Sequence, residues 1–261
     1  MQGPDVGLFV VVGIDLAVAR GKLLPVCFAS RGDHGFRLLP RSRGYYPRGP
    51  GNEQLVRDPD AAGAFAESVA DFLQTTSQEL GLPIVRIAID APRSPRPPGA
   101  RARSCEVMLG LNLFKTPNQE ELDAIRDTAR RHLDRGGRVS RLPNANRIWM
   151  LVGFALFRAL EARRWRCVEV YPFATMTRVF RGGRVPSKKT ADGRRQQLDR
   201  LLRLTGNRRA ELGDLSRLGP GSAHDRIDAF GAAWVASLRP AEYQDVGSRG
   251  EDRIRVPRHM A

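Results

Sequence analysis

Five acidic residues, Asp15, Asp90, Glu169, Asp225 and Asp228, end or interrupt apolar segments of a strongly basic chain. Asp15 closes Leu8-Phe9-Val10-Val11-Val12-Gly13-Ile14, and Asp90 closes Ile84-Val85-Arg86-Ile87-Ala88-Ile89. Glu169 lies within Cys167-Val168-Glu169-Val170-Tyr171, and Asp225 and Asp228 open an apolar helical pattern. A carboxylate desolvated at a strand end needs a positive partner. Several carboxylates brought together repel one another and bind their protons more tightly unless a cation neutralises them. Oxygen-only clusters suit hard divalent cations such as Mg²⁺ or Mn²⁺. The chemistry expected is metal-dependent.

Some of these acids also have purely structural explanations. Asp15 and Asp90 stand where strands give way to turns, a common place for Asp. Ser222-x-x-Asp225 fits a capping box, and an acid in the first turn favours the helix dipole. Glu169, inside an apolar strand, and Asp228, beyond the first turn, are not explained in this way. Asp228 falls at the edge of the stripe made by Ile227, Phe230, Gly231, Trp234, Val235 and Leu238. His224 projects into that stripe and is a candidate for proton transfer, although a histidine there is more often an ordinary core residue.

The elements that must position these acids follow from apolar spacing. Residues 8–16, 23–29 and 35–39 read as an antiparallel meander with turns at Gly21-Lys22 and Arg31-Gly32-Asp33. Residues 40–58 read as a long surface loop. A helix capped by Asp60 runs to Gly81, and buried strands are expected at 84–90 and 166–171. The four-proline stretch 92–102 reads as irregular, with helices at 103–110, 119–135, 146–163, 172–180, 190–204 and 222–238. Together these give one α/β domain over 1–240 with a mixed sheet, three antiparallel strands followed by parallel ones, flanked by helices. Residues 241–261 read as a polar, loose tail.

Net charge is +15, from 43 Lys and Arg against 28 Asp and Glu. A field of that sign attracts polyanions, with DNA or RNA the expected partner. Residues 178–209 hold eleven Lys or Arg against Asp192 and Asp199 alone. Arg93, Arg96, Arg101 and Arg103 cluster after Asp90. Of these, Arg93 and Arg103, with Lys188, Lys189 and Arg194, are the candidate phosphate contacts. Cys27, Cys105 and Cys167 are spaced for neither a disulfide framework nor a zinc site. No run approaches the roughly 18 apolar residues of a membrane span. The N-terminal apolar run lacks a basic leader, so cytoplasmic residence is expected.

Six motifs in order carry a family resemblance. They are Gly13-Ile14-Asp15, Ile89-Asp90-Ala91-Pro92, Arg103-x-Cys105-Glu106, Glu169-Val170-Tyr171-Pro172, Lys188-Lys189-Thr190-x-Asp192-Gly193-Arg194 and His224-Asp225-x-x-Asp228-Ala229. This order resembles the predicted RNase H-like nucleases (domain of unknown function 429), and the last motif is similar to the terminal helix of RuvC-type resolvases. The resemblance covers roughly residues 8–238. It implies an RNase H-like core and a nuclease using two Mg²⁺ or Mn²⁺ ions. Asp15 would bridge the ions, with Asp90 and Glu169 beside it and Asp225 or Asp228 completing the set. The first-helix glutamate of many such enzymes has only Glu67 as a counterpart. Two other functions fit the same residues. One is a nucleic-acid binder without catalysis. The other is an actin- or sugar-kinase-like phosphotransferase, disfavoured because Gly13-Ile14-Asp15-Leu16-Ala17 lacks the glycine a close phosphate loop wants.

Overall fold

The structure is a computed structural model and describes residues 9–32, 35–39, 45–111, 115–181, 183–212, 215–248 and 252–258. The expectations for Leu8, Asp33, residues 40–44 and the chain's last three positions fall outside them. In chain order the strands and helices are β1 (Val10–Asp15), β2 (Val26–Gly32), β3 (Gly35–Leu38), α1 (Asn52–Arg57), α2 (Ala61–Leu80) and β4 (Ile84–Asp90). Next come α3 (Ser104–Met108), α4 (Gln119–Asp134), α5 (Ala145–Ile148), α6 (Met150–Ala162) and β5 (Cys167–Glu169). The chain continues through α7 (Pro172–Val179), α8 (Ala191–Thr205), α9 (Ala223–Ser237), β6 (Tyr243–Gly247) and β7 (Arg253–Pro257).

Among the described residues five strands pair in the order β3-β2-β1-β4-β5, antiparallel among the first three and parallel from β1 to β5. This is the expected mixed α/β sheet. Strand alternation sends β1 side chains to two cores. Val10, Val12 and Ile14 join α2 and α6 on one face, while Val11 joins α9 on the other. The second strand begins at Val26 rather than at 23, because Pro25 has no N–H for a ladder and Leu23 makes only a single bridge to Arg48. The helix expected at 146–163 divides at Trp149 into α5 and α6.

Two expectations are corrected. The 40–58 stretch is not loop to its end, since α1 forms there after Gly51, whose φ of 83° suits glycine. The segment after Pro240 is not a loose tail. β6 and β7 pair as a hairpin, and Val246, Ile254 and Val256 bury against Cys105 and Ala174. Arg255 bridges to Val170 beyond the end of β5, and stacks its guanidinium 3.6 Å from the centroid of the Tyr243 ring. Among the described residues no helix is long and apolar enough to cross a membrane.

A close backbone approach ties β1 to α9. A Cβ added at Gly13 would stand 2.1 Å from the Ala229 carbonyl oxygen and 2.2 Å from the Ala233 nitrogen. Only glycine lets the helix backbone approach this strand so closely. Gly13→Ala is therefore expected to lower unfolding free energy by about 2 kcal/mol or more, since α9 must shift bodily. Urea unfolding of the variant checks this, and a loss below about 0.5 kcal/mol, the range of a neutral surface change, would contradict it.

Candidate metal centre

Asp15 and Asp90 are register partners at the C-terminal ends of the parallel strands β1 and β4. Residues paired across neighbouring strands share a face, and this face is covered by α9. That helix carries Asp228 immediately before Ala229, whose backbone abuts Gly13. Asp15, two residues after Gly13, therefore points to the same side as the contact that draws Asp228 inward. One carboxylate oxygen from each of Asp15, Asp90 and Asp228 lies within 4.8 Å of the others. Sheet register and a glycine contact bring three acids together from three elements.

Electrostatics match this crowding. Burial, and then the charges of Asp90, Asp228 and Asp225, raise the Asp15 carboxyl well above its ordinary pKa. Burial and the Asp228 charge raise Asp90 likewise. Burial raises Asp228 too, opposed by Lys188, whose Nζ pairs with Asp228 Oδ2. Burial works against the Lys188 charge, but Asp228, Asp90 and Asp15 outweigh it, so its ammonium holds its proton more firmly than usual. Asp228 is 3% exposed, and its Oδ1 is buried with no hydrogen-bond partner. An unsatisfied anionic oxygen beside two half-buried carboxylates fits a divalent cation. The donor set is all oxygen, which favours Mg²⁺ or Mn²⁺ over softer metals.

The remaining predicted ligands are engaged elsewhere. Glu169 pairs in register with Ile89, which belongs to the α2 and α6 face of the sheet rather than the α9 face. Arg103 binds both Glu169 oxygens, Nη1 at 3.0 Å and Nη2 at 2.5 Å, and the Arg93 backbone N–H donates at 2.9 Å. Glu169 thus lies outside the acid triad among the described residues. Asp225 sits closer but takes the capping role. It accepts from the Ser222 N–H at 3.0 Å and pairs with Lys22 Nζ at 2.8 Å, which with Ser222 carries its pKa below the ordinary value despite burial. His224 does not enter the apolar stripe. It is exposed at the first turn of α9, with Nε2 at 3.0 Å from Asp225 Oδ1 and Nδ1 at 2.9 Å from Ser222 Oγ. Glu67 stands exposed on α2 and pairs with Arg163 at 2.9 Å.

Several basic residues are also reassigned. Arg103 is 2% exposed and ringed by Glu169, Glu106 and Asp252, so it is a buried counter-ion and cannot meet a phosphate. Arg96 is buried against Glu121. Arg93 pairs with Glu161 at 2.8 Å, with its guanidinium over the Phe157 ring. Arg194 donates to the Lys188 and Lys189 carbonyls at 3.0 and 3.2 Å. Lys188 joins the acid triad, and Lys189 is exposed beside it. Cys27, Cys105 and Cys167 are buried free thiols. Sequence reading gave no role to Lys22 or to Trp149. Trp149 and Asp90 line both a cavity of about 1020 Å³, open over Asp15 between Arg20 and Arg57, and one of about 230 Å³ against Glu169 and Tyr171.

The chain belongs to the family described as protein of unknown function (DUF429), whose model matches residues 13–246 and so includes every acid of the site. Neither the curated proteins nor the solved structures contain a match to it.

The raised carboxyls set a pH dependence. Below about pH 4, the ordinary carboxylate range, folded and unfolded chains both hold these protons and the groups take nothing from stability. As pH rises through that range the unfolded chain releases protons that Asp15 and Asp90 retain, so stability is lost until the native groups ionise as well. Asp15→Asn removes this penalty. In EDTA the variant is expected to match the wild type near pH 4. At pH 8 it should exceed it by on the order of 1 kcal/mol, roughly 2–4 °C in Tm for a chain of this size. Thermal unfolding at both pH values reads the gap. A gap that does not widen with pH would contradict the electrostatic description.

Proposed function

We propose that the protein is a divalent-metal-dependent nuclease with an RNase H-like core, hydrolysing phosphodiester bonds in nucleic acid. The observation that carries this reading is the convergence of Asp15, Asp90 and Asp228 within 4.8 Å, with a buried Asp228 oxygen lacking a partner. The sheet order β3-β2-β1-β4-β5, with the acids at the ends of β1 and β4 and on the last long helix, agrees with the core that the sequence motifs imply. Ligand sites in sheets of this type lie at the carboxyl ends of parallel strands.

In this reading Asp15, Asp90 and Asp228 hold the metal through carboxylate oxygens. A bound Mg²⁺ or Mn²⁺ supplies Lewis-acid polarisation of a phosphoryl oxygen and lowers the pKa of a bound water. The chain's own groups then orient the substrate. The larger cavity opens directly onto Asp15 and Asp90, and Arg20 on its wall supplies positive charge to a phosphate backbone, while Arg57 beside it is paired with Glu53 and Asp134. The overall charge of +15 draws a polyanion towards an acid cluster that would otherwise repel it. The buried pair Arg103–Glu169 and the half-exposed pair Lys22–Asp225 each place a cation on a neighbouring acid.

Cleavage of end-labelled DNA and RNA with Mg²⁺ or Mn²⁺ tests the proposal. Activity is expected with wild type and metal, absent in EDTA. It should fall at least about 100-fold in Asp15→Asn, Asp90→Asn or Asp228→Asn, the rate equivalent of several kcal/mol of lost charge stabilisation. Equal turnover in wild type and variants, or salt-dependent binding with no turnover, would overturn it.

A further inference from the structure

We propose that Lys188 is a resident cation of the acid cluster, so that the site takes one divalent ion and not two. This rests on the nuclease reading above and departs from the ion count the sequence resemblance implies. The placement of Lys188 is built into the fold. Its loop is clamped on the N-terminal turns of α8. Gln197 Nε2 donates to the Pro186 carbonyl at 2.6 Å, Thr190 Oγ1 to the Ser187 carbonyl at 3.1 Å, and Arg194 Nη1 to the carbonyl of Lys188 itself at 3.0 Å. A Cβ on Gly193 would stand 2.0 Å from the Ser187 carbonyl oxygen, so glycine is required for the helix to close on this loop. The Lys188 side chain is 44% exposed, and the clamp holds its backbone where the ammonium reaches Asp228.

The charges around the cluster are already sorted. From β1 and β4 come Asp15 and Asp90, and from α9 come Asp228, Asp225 and the exposed His224. Lys22 neutralises Asp225 at 2.8 Å, and Arg103 neutralises Glu169 at 2.5 Å on the other side of Asp90. The Tyr171 phenol, beyond the end of β5, lines the smaller cavity beside Asp90. Three carboxylates and the Lys188 ammonium then leave two negative charges, the charge of one divalent ion. A second ion would leave the cluster with two positive charges in excess, and no uncommitted carboxylate among these residues is available to hold it. Asp228 divides accordingly, with Oδ2 on Lys188 and the buried Oδ1 free for a metal. The ammonium has three N–H donors. With one on Asp228, the others serve a phosphoryl oxygen, the task a second ion would perform in a two-ion site.

Calorimetric titration of Mn²⁺ into the full chain at neutral pH tests the inference, using wild type, Lys188→Gln and Lys188→Arg. One ion per wild-type chain is expected. Lys188→Gln, which removes a like charge from the ion's surroundings, should bind its first Mn²⁺ about tenfold more tightly or better. Lys188→Arg keeps the charge and should retain one-ion stoichiometry with near wild-type affinity, which separates a charge effect from damage to the loop. Two ions per wild-type chain, or unchanged affinity in Lys188→Gln, would overturn the resident-cation proposal and leave the nuclease reading standing. No Mn²⁺ bound by the wild type would overturn that reading itself, and this inference with it.

Discussion

Asp15, Asp90 and Asp228 stand within 4.8 Å of one another because the backbone of α9 is pressed against a glycine of the central strand. Like charges at that separation, away from bulk water, repel by an amount that folding must absorb. The structure responds by keeping Asp15 and Asp90 protonated more readily than usual and by directing Lys188 at Asp228. Both responses are incomplete. The unpartnered Asp228 oxygen is the remainder. In the proposed function this unsatisfied charge is the stability given up for ion binding, the usual trade at functional positions.

The acids around this cluster show the opposite treatment. Glu169 is bound at both oxygens by Arg103, which also neighbours Glu106 and Asp252. Removing one partner of such a buried pair typically costs about 3–5 kcal/mol, because the other charge is stranded. Asp252 comes from the segment between β6 and β7 and also accepts from the Ser104 N–H at 2.7 Å, so the C-terminal hairpin helps fix the start of α3 and the guanidinium beside it. Asp225 is held by Lys22 and its own capping box. The division between satisfied and unsatisfied carboxylates separates structural acids from ligand candidates more sharply than their placement along the chain does.

Much of this was legible in the sequence. Apolar spacing located β1, β4 and the long helices, and the turns gave the antiparallel meander, while the order of the strands in the sheet came from the structure. Asp15, Asp90 and Asp228 were legible as costly carboxylates at the ends or edges of buried elements. Glu169 carried the same signature but faces the other way. One residue of register decides the face, and the Ile89↔Glu169 pairing cannot be read from either strand alone. The phosphate contact expected of Arg103 fails because its partners Glu169 and Asp252 are distant in the chain and cannot be read from the sequence around it. The hairpin was missed although Arg253-Ile254-Arg255-Val256 alternates with the period of a strand, because its polar residues outweighed a short apolar face. His224 was placed in the apolar stripe by helical angle, but it lies in the first turn, where the helix end is open to water.

The proposed chemistry requires the three aspartates to share an ion. Crystals soaked in Mn²⁺ and measured at an anomalous-scattering wavelength test this most directly. The expected result is an anomalous peak within about 2.0–2.6 Å of one oxygen from each of Asp15, Asp90 and Asp228, the range of such metal–oxygen bonds. Fully occupied Mn²⁺ peaks elsewhere on the molecule, with none touching this triad, would contradict it.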